Sequence, residues 1–253
     1  MPPKPARLTH FLCIPLVTPT SSPQLQHSLS IFREKVTQIS TPELPDGIPE
    51  KAIRPLGTLH LTLGVMSLLS QERVDSAVKQ LRELDLRQLL RSSTNEATNS
   101  ASQSMVKGKL DENEDTRPLY IALRGLSSMH PPAKTSVLYS PPVDEDGRLF
   151  AFGEKVRNAF IGAGLLELET RPLLLHATII NTVYVPGVGK GRGGHGKSRA
   201  KLTLDARELL EDYEDFVWMS DVKVEQVAIF RMSAQKGEDG EEIYIAEGEI
   251  EMP

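Results

Sequence analysis

Leu59-His60-Leu61-Thr62-Leu63 and Leu175-His176-Ala177-Thr178-Ile179 are one pattern written twice, roughly half a chain apart. In an extended chain, residues two apart share a face. His60 and Thr62 therefore point one way, while Leu59, Leu61 and Leu63 point into a core. His176 and Thr178 repeat the arrangement over Leu175, Ala177 and Ile179. Each strand presents one imidazole and one hydroxyl about 7 Å apart along it.

Outward from these strands, the chain reads as alternating short elements. Thr9 to Val17 is an apolar strand. Ser22-Pro23 opens a helix with Leu25, Leu29, Phe32 and Val36 at helical spacing. Residues 41–55 carry four prolines and read as a loop before the strand Thr58 to Met66, which alternates strictly. Ser70 caps a second helix with Val74, Val78, Leu81 and Leu84 on its apolar face. At residues 92–116 the composition turns to Ser, Asn, Thr, Glu and Lys, which cannot bury enough apolar surface to offset ordering, so a disordered insertion is expected there. Strands follow at Leu119 to Leu126 and Thr135 to Tyr139, a helix at Leu149 to Phe160, and a strand at Leu173 to Val185. A Gly-rich loop occupies 186–200, Asp205 caps a short helix, and strands at Val222 to Met232 and Ile243 to Ile250 finish the chain. The order predicts an α+β fold, one domain over residues 1–253, with the look of two similar lobes.

Composition sets outer limits. The chain has 253 residues, 39% hydrophobic, with a net charge of −5, so any basic site has to be local. The single cysteine, Cys13, reads as a buried strand thiol and excludes both an intramolecular disulfide and a cysteine-rich zinc site. No histidines stand at metal-ligand spacing, so no metal and no cofactor are expected. The apolar run from Phe11 to Val17 contains Pro15 and is too short for a membrane span; a soluble intracellular protein of the cytoplasm or nucleus is expected.

The paired motif has a chemistry. Cleaving a phosphodiester needs one group to take a proton from the nucleophile and another to give one to the leaving oxygen, and imidazole does both near neutral pH. A hydroxyl beside each imidazole can donate to the non-bridging oxygens. His60 and His176 are thus the candidate acid–base pair, in either assignment, with Thr62 and Thr178 as phosphate ligands. Such a site requires no metal. Base stacking calls for an aromatic partner, and Tyr184 and Phe230 are the candidates.

Paired His-x-Thr strands at this separation resemble the two-histidine (2H) phosphoesterases, which include the 2′-5′ RNA ligase-like proteins. The segments THFLCIPL, LHLTLGVM and LLLHATIINTVY are similar to the A-kinase-anchor-protein gamma-type branch, whose phosphoesterase domain also occurs in activating signal cointegrator 1 complex subunit 1. The resemblance implies a bilobal fold with pseudo-two-fold related lobes around a central cleft. It also implies action on RNA ends, 2′,3′-cyclic phosphates or 2′-5′ linked oligonucleotides, with RNA as partner. Kinase anchoring is not supported, since no amphipathic helix follows Ile250, and nothing identifies a protein partner.

The glycine loop offers a competing reading. Gly191-Arg192-Gly193-Gly194-His195-Gly196-Lys197-Ser198 fits the phosphate-loop pattern of ATPases and GTPases. Such a loop joins a strand directly to a helix, whereas Pro186-Gly187 and Leu202-Thr203-Leu204 intervene here. The loop also gathers cations: residues 171–201 hold six Lys or Arg and no acid. Lys190, Arg192, Lys197 and Arg199 are therefore candidate guides for a phosphate backbone. A binding module that keeps the cleft without turnover is the remaining alternative.

Overall fold

The computed structural model describes residues 7–39, 44, 47–101, 117–166, 171–186, 202–238 and 240–253, with side chains left aside at 94–101. The first half runs β1 (His10–Pro15), α1 (Ser22–Val36), β2 (His60–Met66), α2 (Gln71–Arg82) and α3 (Leu86–Ala101). Then come β3 (Tyr120–Arg124), β4 (Ser127–Ser128), β5 (Val137–Ser140), β6 (Pro142–Val143), α4 (Arg148–Gly162) and β7 (Ala177–Asn181). The chain ends with α5 (Arg207–Asp212), β8 (Val217–Lys223), β9 (Gln226–Arg231), β10 (Gln235–Lys236), β11 (Glu242–Ile243) and β12 (Ala246–Glu251).

Seven of these strands form one antiparallel sheet in the order β12-β9-β1-β2-β7-β5-β4. A three-stranded sheet, β6-β3-β8, and the ribbon β10-β11 stand apart from it. The architecture is bilobal α+β. Its two halves meet at the seam between β2 and β7, where the named strands share a single pair, Leu61 with Ala177. Helix α4 packs beneath that seam. A Cβ added to its Gly153 would stand 3.2 Å from Leu63 Cδ2 and 3.8 Å from Leu175 Cδ2, so the backbone of one helix touches the core face of both motif segments. Elsewhere the core is closed by Phe32, which meets both Tyr213 and Trp218 edge-on at 5.0 Å. The buried Trp218 indole donates to the Gly125 carbonyl at 2.9 Å.

The α1 face falls where the spacing puts it: Leu25, Leu29, Phe32 and Val36 are all buried. Ser70 caps α2 by accepting from the Arg73 amide. Other expectations need correction. The alternation of β2 is not strict, because its register against β1 slips between Leu12 and Cys13, so that Gly64 turns into the core and Val65 onto the open face. Gly64 suits the inner place because a Cβ there would come within 2.7 Å of the Leu166 side chain.

The strand expected over 173–185 is only Ala177–Asn181. The Asn181 side chain accepts from the Val183 amide and starts a 3-10 turn over Thr182–Tyr184. The strand expected at Val222 to Met232 is two, β8 and β9, with a break at Val224 and Glu225. Helix α5 takes Ala206 as its N-cap rather than Asp205, whose carboxylate accepts from the Arg207 amide two residues later. Residues 92–101, expected within a disordered insertion, continue α3; Leu86, Leu90 and Ser93 are buried. Helical apolar spacing ahead of the polar stretch carries the helix into it. Residues 102–116 lie outside the described residues.

Candidate active site

The seam register decides the site. Leu61 faces Ala177, so continuing the antiparallel ladder one residue each way puts His60 across from Thr178 and Thr62 across from His176. The two motifs are crossed, each imidazole opposite the other strand's hydroxyl on one face of the sheet. They lie side by side in a single sheet rather than on opposed walls. All four side chains are half-buried.

The imidazoles are held alike. His60 Nδ1 lies 2.8 Å from the Thr58 carbonyl, and His176 Nδ1 lies 2.8 Å from the Leu174 carbonyl. A carbonyl only accepts, so each Nδ1 carries the hydrogen and each neutral ring keeps its lone pair on Nε2. In each case the acceptor sits two residues before the histidine, where the chain enters its strand.

The surroundings of the two rings differ. Phe11 lies against His60 with centroids 4.6 Å apart, and Tyr244 meets it edge-on at 5.4 Å. His176 has Tyr139 at 5.4 Å. Burial lowers the His60 imidazole from 6.5 to about 4; the Thr58 hydrogen bond opposes this, and the nearby charges of Arg54 and His176 reinforce it. His60 is therefore neutral at physiological pH. Burial, with the Tyr184 hydroxyl beside it, pushes the Tyr244 phenol up to about 12, so it stays protonated.

A cavity of about 280 Å³ opens over this face, with His60, Thr62 and Thr178 in its wall. Phe11, Arg54, Asn181, Tyr184 and Tyr244 complete much of the lining. His176 is not part of that wall; its place across from Thr62 and its effect on His60 put it beside the cavity. Tyr184 is exposed and lines the cavity, delivered there by the turn that Asn181 starts. Phe230 lies one layer back, 5.8 Å from Phe11 and 6.3 Å from Tyr244.

Sequence reasoning missed Arg54 and Tyr244. Arg54 sits in the proline-rich stretch read as a plain loop. Tyr244 comes from beyond β9, and nothing local marks either as a cleft residue.

Lys190, Arg192, Lys197 and Arg199 lie outside the described residues. The chain returns from that segment at Leu202, whose carbonyl accepts from the Thr182 hydroxyl at 2.7 Å, next to the turn that carries Tyr184. Among the described residues, the ladders of the central sheet are antiparallel and the first helix after the loop is α5 at Arg207, which is not the parallel strand–loop–helix setting of a phosphate loop. Among the described residues, no group of three or more His, Cys, Asp or Glu is placed to hold a metal ion, and no helix is long and apolar enough to cross a membrane.

Comparison with known proteins matches this chain to the family described as the AKAP7 2′5′ RNA ligase-like domain, over residues 8–252. Activating signal cointegrator 1 complex subunit 1 of Mus musculus is 25% identical over 222 residues, covering 84% of this chain and 55% of the mouse protein. The chain spans about half the length of the curated relatives it matches. Among solved structures, TT0787 of Thermus thermophilus superposes with a TM-score of 0.50 at 12% identity, covering 96% of this chain and 97% of that one. E. coli LigT complexed with 3′-AMP gives a TM-score of 0.49 at 14% identity, covering 97% and 98%. The likeness to TT0787 is one of fold.

Proposed function

Because the chain belongs to the AKAP7 2′5′ RNA ligase-like domain family, we propose that it is a metal-independent phosphodiesterase acting on RNA ends, 2′,3′-cyclic phosphates or 2′-5′ linked oligonucleotides. The observation that carries this reading is the crossed quartet of His60, Thr178, Thr62 and His176 on one face, with both imidazoles tied back by Nδ1. A phosphate above the seam meets two Nε2 atoms and two hydroxyls. The tie at Nδ1 fixes tautomer and orientation before substrate arrives.

The unequal surroundings support a division of roles. His60, held neutral, accepts the proton from water or from a substrate 2′-hydroxyl. His176, in its protonated form, gives a proton to the leaving oxygen. Thr62 and Thr178 donate to the non-bridging oxygens, where charge collects in the transition state. Tyr184 offers a face on which a base can stack.

The test is turnover of four substrates, with and without EDTA: a 2′,3′-cyclic nucleotide, a 2′-5′ oligoadenylate, a 3′-uridylated RNA and ATP. Cleavage of at least one of the first three, unaffected by EDTA and lost in His60→Ala and His176→Ala, is the expected result. Tight binding without cleavage would replace the enzyme with a binding module. Activity that EDTA destroys and manganese restores would remove the paired-histidine mechanism.

A further inference from the structure

One buried cation in the cleft enters the chemistry above only through its charge near His60. Arg54 is 5% exposed, and among the described residues no carboxylate lies within ion-pair distance of it. Its guanidinium donates to the Tyr244 hydroxyl at 3.3 Å and lies 3.9 Å over the Tyr184 ring. The other buried arginine differs in having a carboxylate partner, although its Nε is left without one. Arg148 pairs with Asp146 at 2.8 Å and donates to two backbone carbonyls at 3.0 Å. A guanidinium has five N–H donors, and burying its charge without an anion is costly.

The register says where Arg54 sits relative to the quartet. Ile53 bridges Ile180, and the Arg54 amide donates to the Ile179 carbonyl at 2.8 Å. Along β7, then, Thr62 and His60 lie opposite His176 and Thr178, and Arg54 comes next, beyond His60. A second cavity of about 390 Å³ begins there, and Arg54 and Tyr184 line both cavities. The rim of the outer one is mixed, with Lys51 and Lys236 among Glu50, Glu241 and Glu242, so rim charge alone selects nothing. The buried guanidinium at the shared wall does.

We propose that Arg54 binds the phosphate adjoining the one that reacts, so that the cleft takes an oligonucleotide running from the inner cavity past Arg54 and Tyr184 into the outer one. This rests on the phosphodiester reading of the quartet and names its substrate class. Tyr184 stacks one base between the two phosphates, and Lys236 reaches the strand where it leaves.

Two substrates that share a reacting group test it on the full chain: a 2′,3′-cyclic mononucleotide, and a trinucleotide ending in a 2′,3′-cyclic phosphate. Arg54→Ala is expected to lower kcat/KM on the trinucleotide about 10- to 100-fold, mainly through KM, since charge-assisted hydrogen bonds are of that strength. The mononucleotide is expected to lose clearly less, because it carries no neighbouring phosphate and feels only the change of charge beside His60. Arg54→Lys should recover part of the trinucleotide effect as a point charge without the fork. Lys236→Ala, at an exposed position that does not threaten folding, should raise KM for the trinucleotide only.

Equal loss on both substrates in Arg54→Lys, in protein that melts like the parent, would place Arg54 on the reacting phosphate and overturn the proposal. Unchanged trinucleotide kinetics would do the same. If the parent turns over neither substrate, the enzyme reading has failed, but this one is still decided by binding. The affinity ratio of a 3′-phosphorylated trinucleotide to a 3′-mononucleotide should then fall about tenfold or more in Arg54→Ala and by less in Arg54→Lys; an unaltered ratio in Arg54→Ala refutes it.

Discussion

Replacing His60 by Asn should flatten the acid side of the stability–pH curve. In the unfolded chain this imidazole titrates near its ordinary 6.5, whereas in the folded protein burial first, then Arg54 and His176, lower it to about 4. Above pH 6.5 the ring is neutral in both states and adds nothing. As pH falls below 6.5, the unfolded chain takes up a proton that the folded protein refuses, so stability falls. Below about 4 both states are protonated and the loss is complete. Each pKa unit is worth about 1.4 kcal/mol, so the interval sets a ceiling of ~3 kcal/mol. The ring is only half-buried, and partial hydration returns some of this, leaving ~1–2 kcal/mol to be seen. Urea denaturation of parent and variant from pH 7.5 to 4 measures it. The difference between the two curves is the quantity to read, because His10, also lowered by burial against the opposing pull of Glu247, is present in both and cancels. A difference that stays flat across that range would show that His60 is not held neutral, and the assignment of the base would fall with it. In turnover, the same depression should carry the acid limb of kcat/KM well below pH 6.5.

His60→Ala and His176→Ala should each lower kcat about 10²–10⁴-fold, and the double variant should lose less than the product of the two. Steady-state kinetics should show Thr62→Ala and Thr178→Ala milder than either, and the Thr→Ser changes milder still, because a hydroxyl is kept. Deleting 102–116 should leave the melting temperature nearly unchanged, while Leu90→Ala, at a fully buried site on α3, should cost about 2–5 kcal/mol. A deletion that reaches back to Ser93 should destabilise as well, because it removes part of a helix. Neutralising Lys190, Arg192, Lys197 and Arg199 together should weaken binding of long RNA and reduce the salt slope by about 0.7 per lost phosphate contact. Turnover of a cyclic mononucleotide should barely move, and a mononucleotide loss as large as the RNA loss would contradict a guiding role.

The motif pairs were legible because they are local. A period of two over five residues fixes which side chains share a face, and no distant contact is needed to read it. The α1 face and the Ser70 cap were legible for the same reason. The β-bulge that turns Gly64 inward is set by pairing with β1 and by Leu166, so strict alternation was the wrong expectation beyond Leu63. Arg54 enters the cleft only because Ile53 bridges Ile180, a contact between residues more than a hundred positions apart. Tyr244 enters from the far end of the chain. Residues 92–101 went wrong in another way: their composition is polar, but a helix already nucleated on Leu86 and Leu90 extends cheaply through such residues.

The symmetry of the quartet and the asymmetry around it answer different needs. Two crossed motifs with matched Nδ1 ties give two interchangeable imidazoles, and interchangeable groups cannot divide the labour of acid and base. On the proposed mechanism that division comes from neighbours that the motifs do not contain. Phe11 and Tyr244 close over one ring and Arg54 stands near it, while the other has, among the described residues, Tyr139 as its aromatic neighbour. Each of these neighbours makes protonation of His60 harder, by excluding water or by adding positive charge. Reversing the roles would then require moving the aromatic and cationic wall across the seam, not exchanging the histidines. A variant that relieves the wall, Phe11→Ala, should raise the pKa of His60 toward 6.5 and carry the acid limb of kcat/KM up with it. Opening space beside His176 by Tyr139→Ala should leave that limb where it is. An acid limb that shifts with Tyr139 and ignores Phe11 would assign the base to His176 instead.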